Sequence, residues 1–270
     1  VREVGPDQRL ADEVRAAYEG SAEAWANGPA SIYRGMAAAL LATTPRPLAG
    51  RLVLDLGAGT GVASDALTEA GAHPVGVDLA HAMLAHRRAR RPPGVVADAL
   101  ALPFAEATFD AVVAAFCLNH VPDPATALAE CRRVTRPGSP VLASTFPNDV
   151  EHPAKPVVEA VLERFGYRRP DWYRTFKDHI AALTGEAEAF AGAAVAAGLA
   201  DPRVERVEVD VGLDDPERAV EWRLNMPHTL GFVAGLEAGA RRRLRAEAVA
   251  ALSSRLPSSV VMLALRARAP

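Results

Sequence analysis

The chain has 270 residues, half of them apolar, and a formal net charge of −3. That is enough apolar chain for one large domain, or for a domain with a lid, and the weak acidic balance gives no basic field to hold a nucleic acid. Cys117 and Cys131 have neither metal nor redox spacing, and no apolar run reaches transmembrane length.

These features, with no signal peptide or lipidation motif in view, lead us to expect two reduced core thiols in a cytoplasmic protein. The basic residues are nearly all Arg, with Lys only at 155 and 177. Together with the abundance of Ala this reads as a bacterial chain from a high-GC genome, without a mechanistic message.

Residues 7–44 read as helical with polar breaks, punctuated by Tyr18, Trp25, Tyr33 and Met36. Thr43 to Gly50, with two prolines, is the linker into the first strand. That strand, Leu52 to Leu56, runs into Gly57-Ala58-Gly59-Thr60-Gly61, and a helix follows over Val62 to Ala70. A strand that turns sharply into a helix is expected to present free backbone N–H groups and the positive end of the helix dipole at one point. Gly57 and Gly59 allow close approach of a ligand. The dinucleotide fingerprint G-x-G-x-x-G would place its last glycine at Val62, whereas the third glycine here is Gly61. Asp55, inside the strand, would repel a pyrophosphate and suits a ligand that brings an ammonium group and no phosphate.

The second strand, His73 to Asp78, ends on an acid placed to take both ribose hydroxyls. A helix over Ala80 to Arg90 carries Met83 toward the glycine loop, and a third strand from Gly94 ends at Asp98. Phe109 to Phe116 is the apolar run of a central parallel strand, and Cys117 to Val121 leave its carboxyl end, where ligands bind in open α/β sheets. A helix through Val134 and a strand from Val141 to Phe146 follow. Beyond them come helices over Val157 to Phe165 and Glu186 to Leu199, a strand from Arg203 to Val211, a helix capped by Asp215 and Pro216, a charged helix over Ala240 to Leu252 and a last strand from Ser259 to Ala267.

This order predicts an α/β fold, a doubly wound, seven-stranded, mostly parallel sheet. Residues 1–50 would form an N-terminal helical lid, 51–146 the cofactor-binding half of the core, and 147–185 a helical cap insertion. Residues 186–270 would complete the core, with a second cap segment at about 214–252.

The order D-x-G-x-G-x-G from Asp55 to Gly61 resembles motif I of the class I S-adenosylmethionine-dependent methyltransferases. Asp78, Leu79 and Met83 resemble motif II, and Ala97-Asp98-Ala99 with Leu102-Pro103-Phe104 is similar to the third motif. Tyr18 to Trp25 is similar to the arm that closes over the cofactor. The series VPDP…ECRRVTRPGS resembles the ubiquinone/menaquinone-biosynthesis, or type 11, methyltransferases, with Ser139 where a second glycine is usual. The resemblance runs motif by motif over residues 15–145.

It implies a Rossmann-like fold and S-adenosyl-L-methionine as cofactor. Carried over residue by residue, the cofactor site would comprise Asp55, Gly57, Ala58, Gly59 and Gly61 from the loop, and Asp78, Leu79 and Met83 from the second motif. Asp98 would accept from the adenine amine and the Ala99 amide would meet a ring nitrogen, while Leu100, Phe116, Cys117 and Tyr18 would complete the cofactor shell.

Methyl transfer from a sulfonium needs mainly alignment, with a base for some acceptors. His120, at a strand end, is the first base candidate; a packing role in the cofactor shell competes with it. His179 and His228 lie in the cap and are the other candidates. Trp25, Tyr33, Trp172, Tyr173, Trp222 and Phe232 would line an apolar pocket for a moderately large metabolite such as a quinone or aromatic secondary metabolite. No acid cluster or histidine spacing suggests a metal. The expected partner is a small molecule, not a nucleic acid or a membrane, with a homodimer left open. The rival readings are a methyltransferase fold that uses its cofactor without methyl transfer, as in a cyclase or decarboxylase, and a nicotinamide dehydrogenase or binding module.

Overall fold

The computed structural model describes residues 6–252 and 256–270, so the first five residues of the expected lid lie outside the described residues. Three helices open the chain: α1 (Pro6–Glu19), α2 (Ala22–Asn27) and α3 (Ala30–Ala42). The breaks fall at Gly20-Ser21 and at Gly28-Pro29, where glycine and proline interrupt the helical pattern.

The core then alternates: β1 (Leu52–Leu56), α4 (Val62–Glu69), β2 (His73–Asp78), α5 (His81–Ala85), β3 (Gly94–Val96), β4 (Ala111–Ala115), α6 (Pro124–Val134) and β5 (Pro140–Thr145). Asp123 caps α6 by accepting from the Thr126 amide, with Pro124 in the first turn. The helix expected over 80–90 is shorter than its sequence pattern. It stops at Ala85, and a 3-10 turn at Arg88–Arg90 follows Arg87, whose φ is +54°. The Arg91 side chain folds back here, and its Nη1 donates to the carbonyls of Gly59 and Met83 at 2.9 and 2.8 Å.

The second half contains α7 (Ala154–Arg164), α8 (Asp171–Thr175), a π-helical turn (Phe176–Ile180), α9 (Ala181–Thr184), α10 (Ala187–Ala196) and β6 (Ala200–Asp210). After these come α11 (Pro216–Leu224), α12 (Pro227–Gly235), α13 (Ala238–Ala251) and β7 (Ser259–Arg268). Asp215 caps α11 through the Glu217 amide, and α7, α11 and α13 pack on one another. Two cap segments far apart in sequence therefore meet above the same end of the sheet.

All seven strands form one sheet in the order β3-β2-β1-β4-β5-β7-β6. β1 to β5 are mutually parallel, while β7 runs antiparallel to both β5 and β6. β4 and β5 are buried nearly end to end, as expected of strands covered on both faces. Alternate residues feed two cores. Val53, Val113 and Leu142 face α3, α4, α7 and the cap through Leu40, Leu67, Val158 and Trp222. Leu54, Val112 and Ala143 face α6 and α10 through Leu128, Cys131 and Phe190. The order of strand addition switches sides between β1 and β4, and the crevice beyond their carboxyl ends is where an open α/β sheet places its ligand. No helix among the described residues is long and apolar enough to cross a membrane.

Candidate active site

Two cavities meet above that crevice. The first spans about 910 Å³, the open solvent at its mouth included, and is walled by the glycine loop, the ends of β2 and β4, and the lid helices. The second, about 860 Å³ on the same measure, lies under the cap. Tyr18, Tyr33 and His120 line both and form the partition.

The floor of the first cavity follows from backbone geometry. Gly57 and Gly59 have φ of +70° and +51°, in the left-handed region that favours glycine. A Cβ on Gly57 would lie 2.3 Å from Cys117 Cβ, so the loop approaches β4 as closely as only glycine allows. The expectation of free loop amides needs correction. The Ala58 amide donates to the Val77 carbonyl at 2.9 Å, that of Gly59 to Asp78 Oδ2 at 2.8 Å, and that of Gly61 to the Ala58 carbonyl at 2.8 Å. The loop is a shaped cradle whose donors are largely spent inside the protein.

Asp78 ties the site together. Its Oδ1 accepts from the Ala80 amide at 2.9 Å while Oδ2 holds Gly59, so one carboxylate fixes both the loop and the entry to α5. Burial pushes its pKa up, against the pull of these amides. Leu79, Met83, Asp98 and Ala99 continue the wall, and Asp98 Oδ1 accepts from the Leu100 amide at 2.9 Å. Phe116 and Cys117 close the β4 side, Phe116 with φ of +56°. Burial raises the Cys117 pKa well above its ordinary value, so this thiol is no nucleophile at neutral pH.

Four expected cofactor residues stand elsewhere. Asp55 lines neither cavity; its Oδ2 accepts from Ser64 Oγ at 2.6 Å, its Oδ1 is buried without a partner, and burial raises its pKa to about 6. Ala58 lines only a small neighbouring recess. Gly61 makes room for Arg91, since a Cβ there would lie 2.7 Å from Arg91 Nε. Leu100 enters the site only through its amide on Asp98.

The lid covers this cavity with Val14, Tyr18 and Trp25. Tyr18, Trp25 and Tyr33 form a ladder of rings with centroids 5.9 and 5.0 Å apart. Glu19, which the sequence reading passed over, latches the lid. Its two oxygens accept from the His81 and Ala82 amides at 2.5 and 2.9 Å, at the start of α5.

The three histidine candidates separate cleanly. His120 sits in the partition, its Nε2 3.3 Å from the Tyr18 hydroxyl and its ring stacked on Phe176 at 4.6 Å. Burial lowers its pKa to about 4, so it is neutral over the neutral range. His228 lies in the cap cavity stacked on Tyr173 at 3.7 Å, and its Nε2 accepts from Arg223 Nη2 at 3.2 Å. A guanidinium only donates, so the His228 lone pair at Nε2 is occupied. His179 is exposed and lines neither cavity.

Of the expected substrate residues, Trp172, Tyr173 and Trp222 line the cap cavity with Tyr33, whereas Trp25 belongs to the first cavity. Phe232 lines neither and packs on Tyr167 at 5.5 Å. The reading also missed the charged walls. Lys155, Lys177 and Arg223 all line the cap cavity, against Glu151 as its one carboxylate. Burial, with Arg223 nearby, lowers the Lys155 pKa to about 7.

The comparisons with known proteins agree with this geometry. Residues 54–143 match the methyltransferase domain family. The chain is 34% identical over 163 residues to a demethylmenaquinone methyltransferase of Renibacterium salmoninarum, covering 59% of this chain and 67% of that protein. This chain belongs to the S-adenosylmethionine-dependent methyltransferases. A second demethylmenaquinone methyltransferase, from Mycolicibacterium paratuberculosis, is 47% identical over 97 residues, which is 36% of this chain and 42% of that protein. The methyltransferase also shares its fold with phosphoethanolamine N-methyltransferase 2 of Haemonchus contortus, solved with S-adenosyl-L-methionine, at a TM-score of 0.55 and 22% identity over 87% of this chain and 52% of that one.

The residues present fit that cofactor. Asp78 and Asp98 offer carboxylates to hydroxyl and amine donors, and the glycine cradle offers the close approach. The walls are otherwise apolar, and their one Arg or Lys, Arg15, pairs with Asp12 at the rim. Such a cavity suits a nucleoside without phosphates. Asp78→Ala is expected to weaken binding of S-adenosylhomocysteine in calorimetry by about 1.5–3 kcal/mol, the scale of hydrogen bonds to a charged group. Unchanged affinity would remove Asp78 from the site.

Proposed function

We propose that this methyltransferase methylates a small aromatic or quinone-like metabolite held in the cap cavity. The observation that carries the reading is the shared partition: one cavity suited to the nucleoside adjoins a second, lined by aromatic rings, across Tyr18, Tyr33 and His120. S-adenosylmethionine, when bound, supplies an electrophilic methyl group on a sulfonium that is its own leaving group. The protein's part is placement. The glycine cradle, Asp78 and Asp98 hold the nucleoside, and the lid excludes water. Trp172, Tyr173 and Phe176 hold the acceptor, whose attacking atom must reach across the partition. Such alignment is worth about 7–11 kcal/mol in favourable systems. The relatives named above are methyltransferases over the matched core, which favours methyl transfer over a non-methylating use of the cofactor.

His120 acts in this reading by holding Tyr18 in the partition. His120→Gln is expected to keep turnover within about tenfold of wild type, whereas a general base contributes typically about 10²–10⁴. A loss in that larger range, with a change in the pH–rate profile, would reassign His120 as the base.

The test of the function is transfer of an isotope-labelled methyl group from S-adenosylmethionine into a bacterial metabolite extract, followed by mass spectrometry. A labelled aromatic or quinol product is the expected outcome. A labelled protein or nucleic acid, with no labelled small molecule, would overturn the reading.

A further inference from the structure

The chain contains two lysines, Lys155 and Lys177, and both line the cap cavity. They are joined there by Arg223, whose residue is only 5% exposed. Lys155 Nζ and Arg223 Cζ lie 5.9 and 5.3 Å from the centroid of the Trp222 ring, so both cations flank one aromatic wall.

Their partners leave charge uncompensated. Arg223 has no carboxylate within ion-pair distance among the described residues, and its one hydrogen-bond acceptor is the neutral His228 ring at 3.2 Å. Lys155 Nζ stands 4.0 Å from Glu151, beyond hydrogen-bond range, and 4.1 Å above the Phe146 ring. Glu151 is shared with Lys177, whose Nζ is 3.7 Å away. Three cations therefore share one carboxylate, which the two lysines divide between them and Arg223 does not reach, in a cavity rich in aromatic rings. Buried charge is retained where something pairs with it. A planar guanidinium beside an ammonium matches a carboxylate, which takes the forked donors of Arg and the point charge of Lys together.

We infer that the acceptor is an aromatic carboxylate whose anionic group sits against Lys155 and Arg223 while its ring system lies among Trp172, Tyr173 and Phe176. The inference rests on reading the cap cavity as the acceptor chamber. It narrows the substrate class from apolar aromatic metabolites to aromatic acids. Lys155 faces Glu151 and His152 from the segment before α7, Lys177 from the π-helical turn and Arg223 from α11, with neutral His120 and His228 on the remaining walls. Its ammonium loses protons near pH 7 without a ligand. A carboxylate beside it reverses that loss, so binding near neutral pH takes up a proton.

The test titrates 2-naphthoate and the uncharged 2-naphthamide, of the same shape, into the full chain by calorimetry near pH 7.5 in buffers of different ionisation enthalpy. The expected result is at least about tenfold tighter binding of the acid, a difference of about 1.4 kcal/mol, with net proton uptake. Lys155→Met should abolish the uptake and most of the preference. Arg223→Gln should cut the preference as well, and Lys155→Met keeps the test decisive if that variant does not fold. Equal binding of acid and amide, no binding of either, or a preference and uptake that survive Lys155→Met would each overturn the inference. S-adenosylhomocysteine is titrated in parallel. Its failure to bind would sink the methyltransferase reading, while the naphthoate result would still decide the charge of the chamber.

Discussion

Gly57→Ala is expected to raise the dissociation constant for S-adenosylhomocysteine at least about a hundredfold, or roughly 2.7 kcal/mol. Two effects act in the same direction. A non-glycine residue at φ +70° bears strain of about 1–3 kcal/mol. The new methyl group would also lie 2.3 Å from Cys117 Cβ and 3.2 Å from its Sγ. The nearer atom is bonded directly to the Cys117 backbone and cannot swing away, so the strand end or the loop must move, and overpacking of this kind costs about 1–3 kcal/mol. Movement of the loop displaces Gly59, whose amide is fixed by Asp78, and so disturbs the β2 wall as well. Calorimetry gives the affinity and urea denaturation gives the share of the penalty that falls on folding. Adding Cys117→Gly to the variant removes the obstructing Cβ and should restore at least about tenfold of the affinity, leaving the backbone strain in place. Wild-type affinity in Gly57→Ala alone would show that the loop is not the cradle.

Lys155→Met is expected to stabilise the protein without ligand by about 1–3 kcal/mol at neutral pH and below, the range for replacing a poorly compensated buried charge with an apolar side chain. The sign follows from protonation. The Lys155 pKa falls from 10.5 in the unfolded chain to about 7 in the folded one. Between those values the unfolded state binds more protons, so wild-type stability rises with pH. Below pH 7 the penalty is present in full, and above 10.5 Lys155 is neutral in both states. The gain from Lys155→Met should thus be largest below about pH 7 and fade as pH approaches about 10.5. Because 15% of the side chain remains accessible, solvent screens part of the full shift. Urea denaturation of both proteins across this range measures the difference, and a gain independent of pH would show that packing, not charge, is responsible.

The α/β core was legible because its signals are local. Glycine and proline punctuate the elements, apolar runs mark the buried strands, and Asp55 to Gly61 announces the strand-to-helix turn. Asp78, Met83 and Asp98 could be placed because each sits at a strand end or just beyond it. Contacts between distant elements were not legible. Arg91 reaches back to the glycine loop, which gives Gly61 a different task from the one its spacing suggests. Asp55 looks toward a ligand in the sequence, yet Ser64, nine residues on, captures it. In the cap, helical phase decides. Trp172, Phe176 and Ile180 form the buried row through the π-helical turn, and His179 falls one position off it onto the solvent side. Lys155 and Arg223 belong to cap segments that meet only in three dimensions. One trace of the charged chamber did exist in the sequence: in a chain that uses Arg almost throughout, the two lysines are exceptions, and they fall in the same cavity.

The shared partition also bears on the timing of catalysis. Tyr18 and Tyr33 lie on the N-terminal helices and line both compartments, and Glu19 fastens the same helices to α5, which carries Met83 into the wall of the first cavity. A movement of these helices that shifts Tyr18 and Tyr33 therefore alters both compartments at once. Parting Glu19 from α5 would break two hydrogen bonds to one carboxylate and loosen the wall of the first cavity in the same step. Were reopening of these helices the slow step, the first turnover would run ahead of the steady state as a pre-steady-state burst, which rapid-quench kinetics would read.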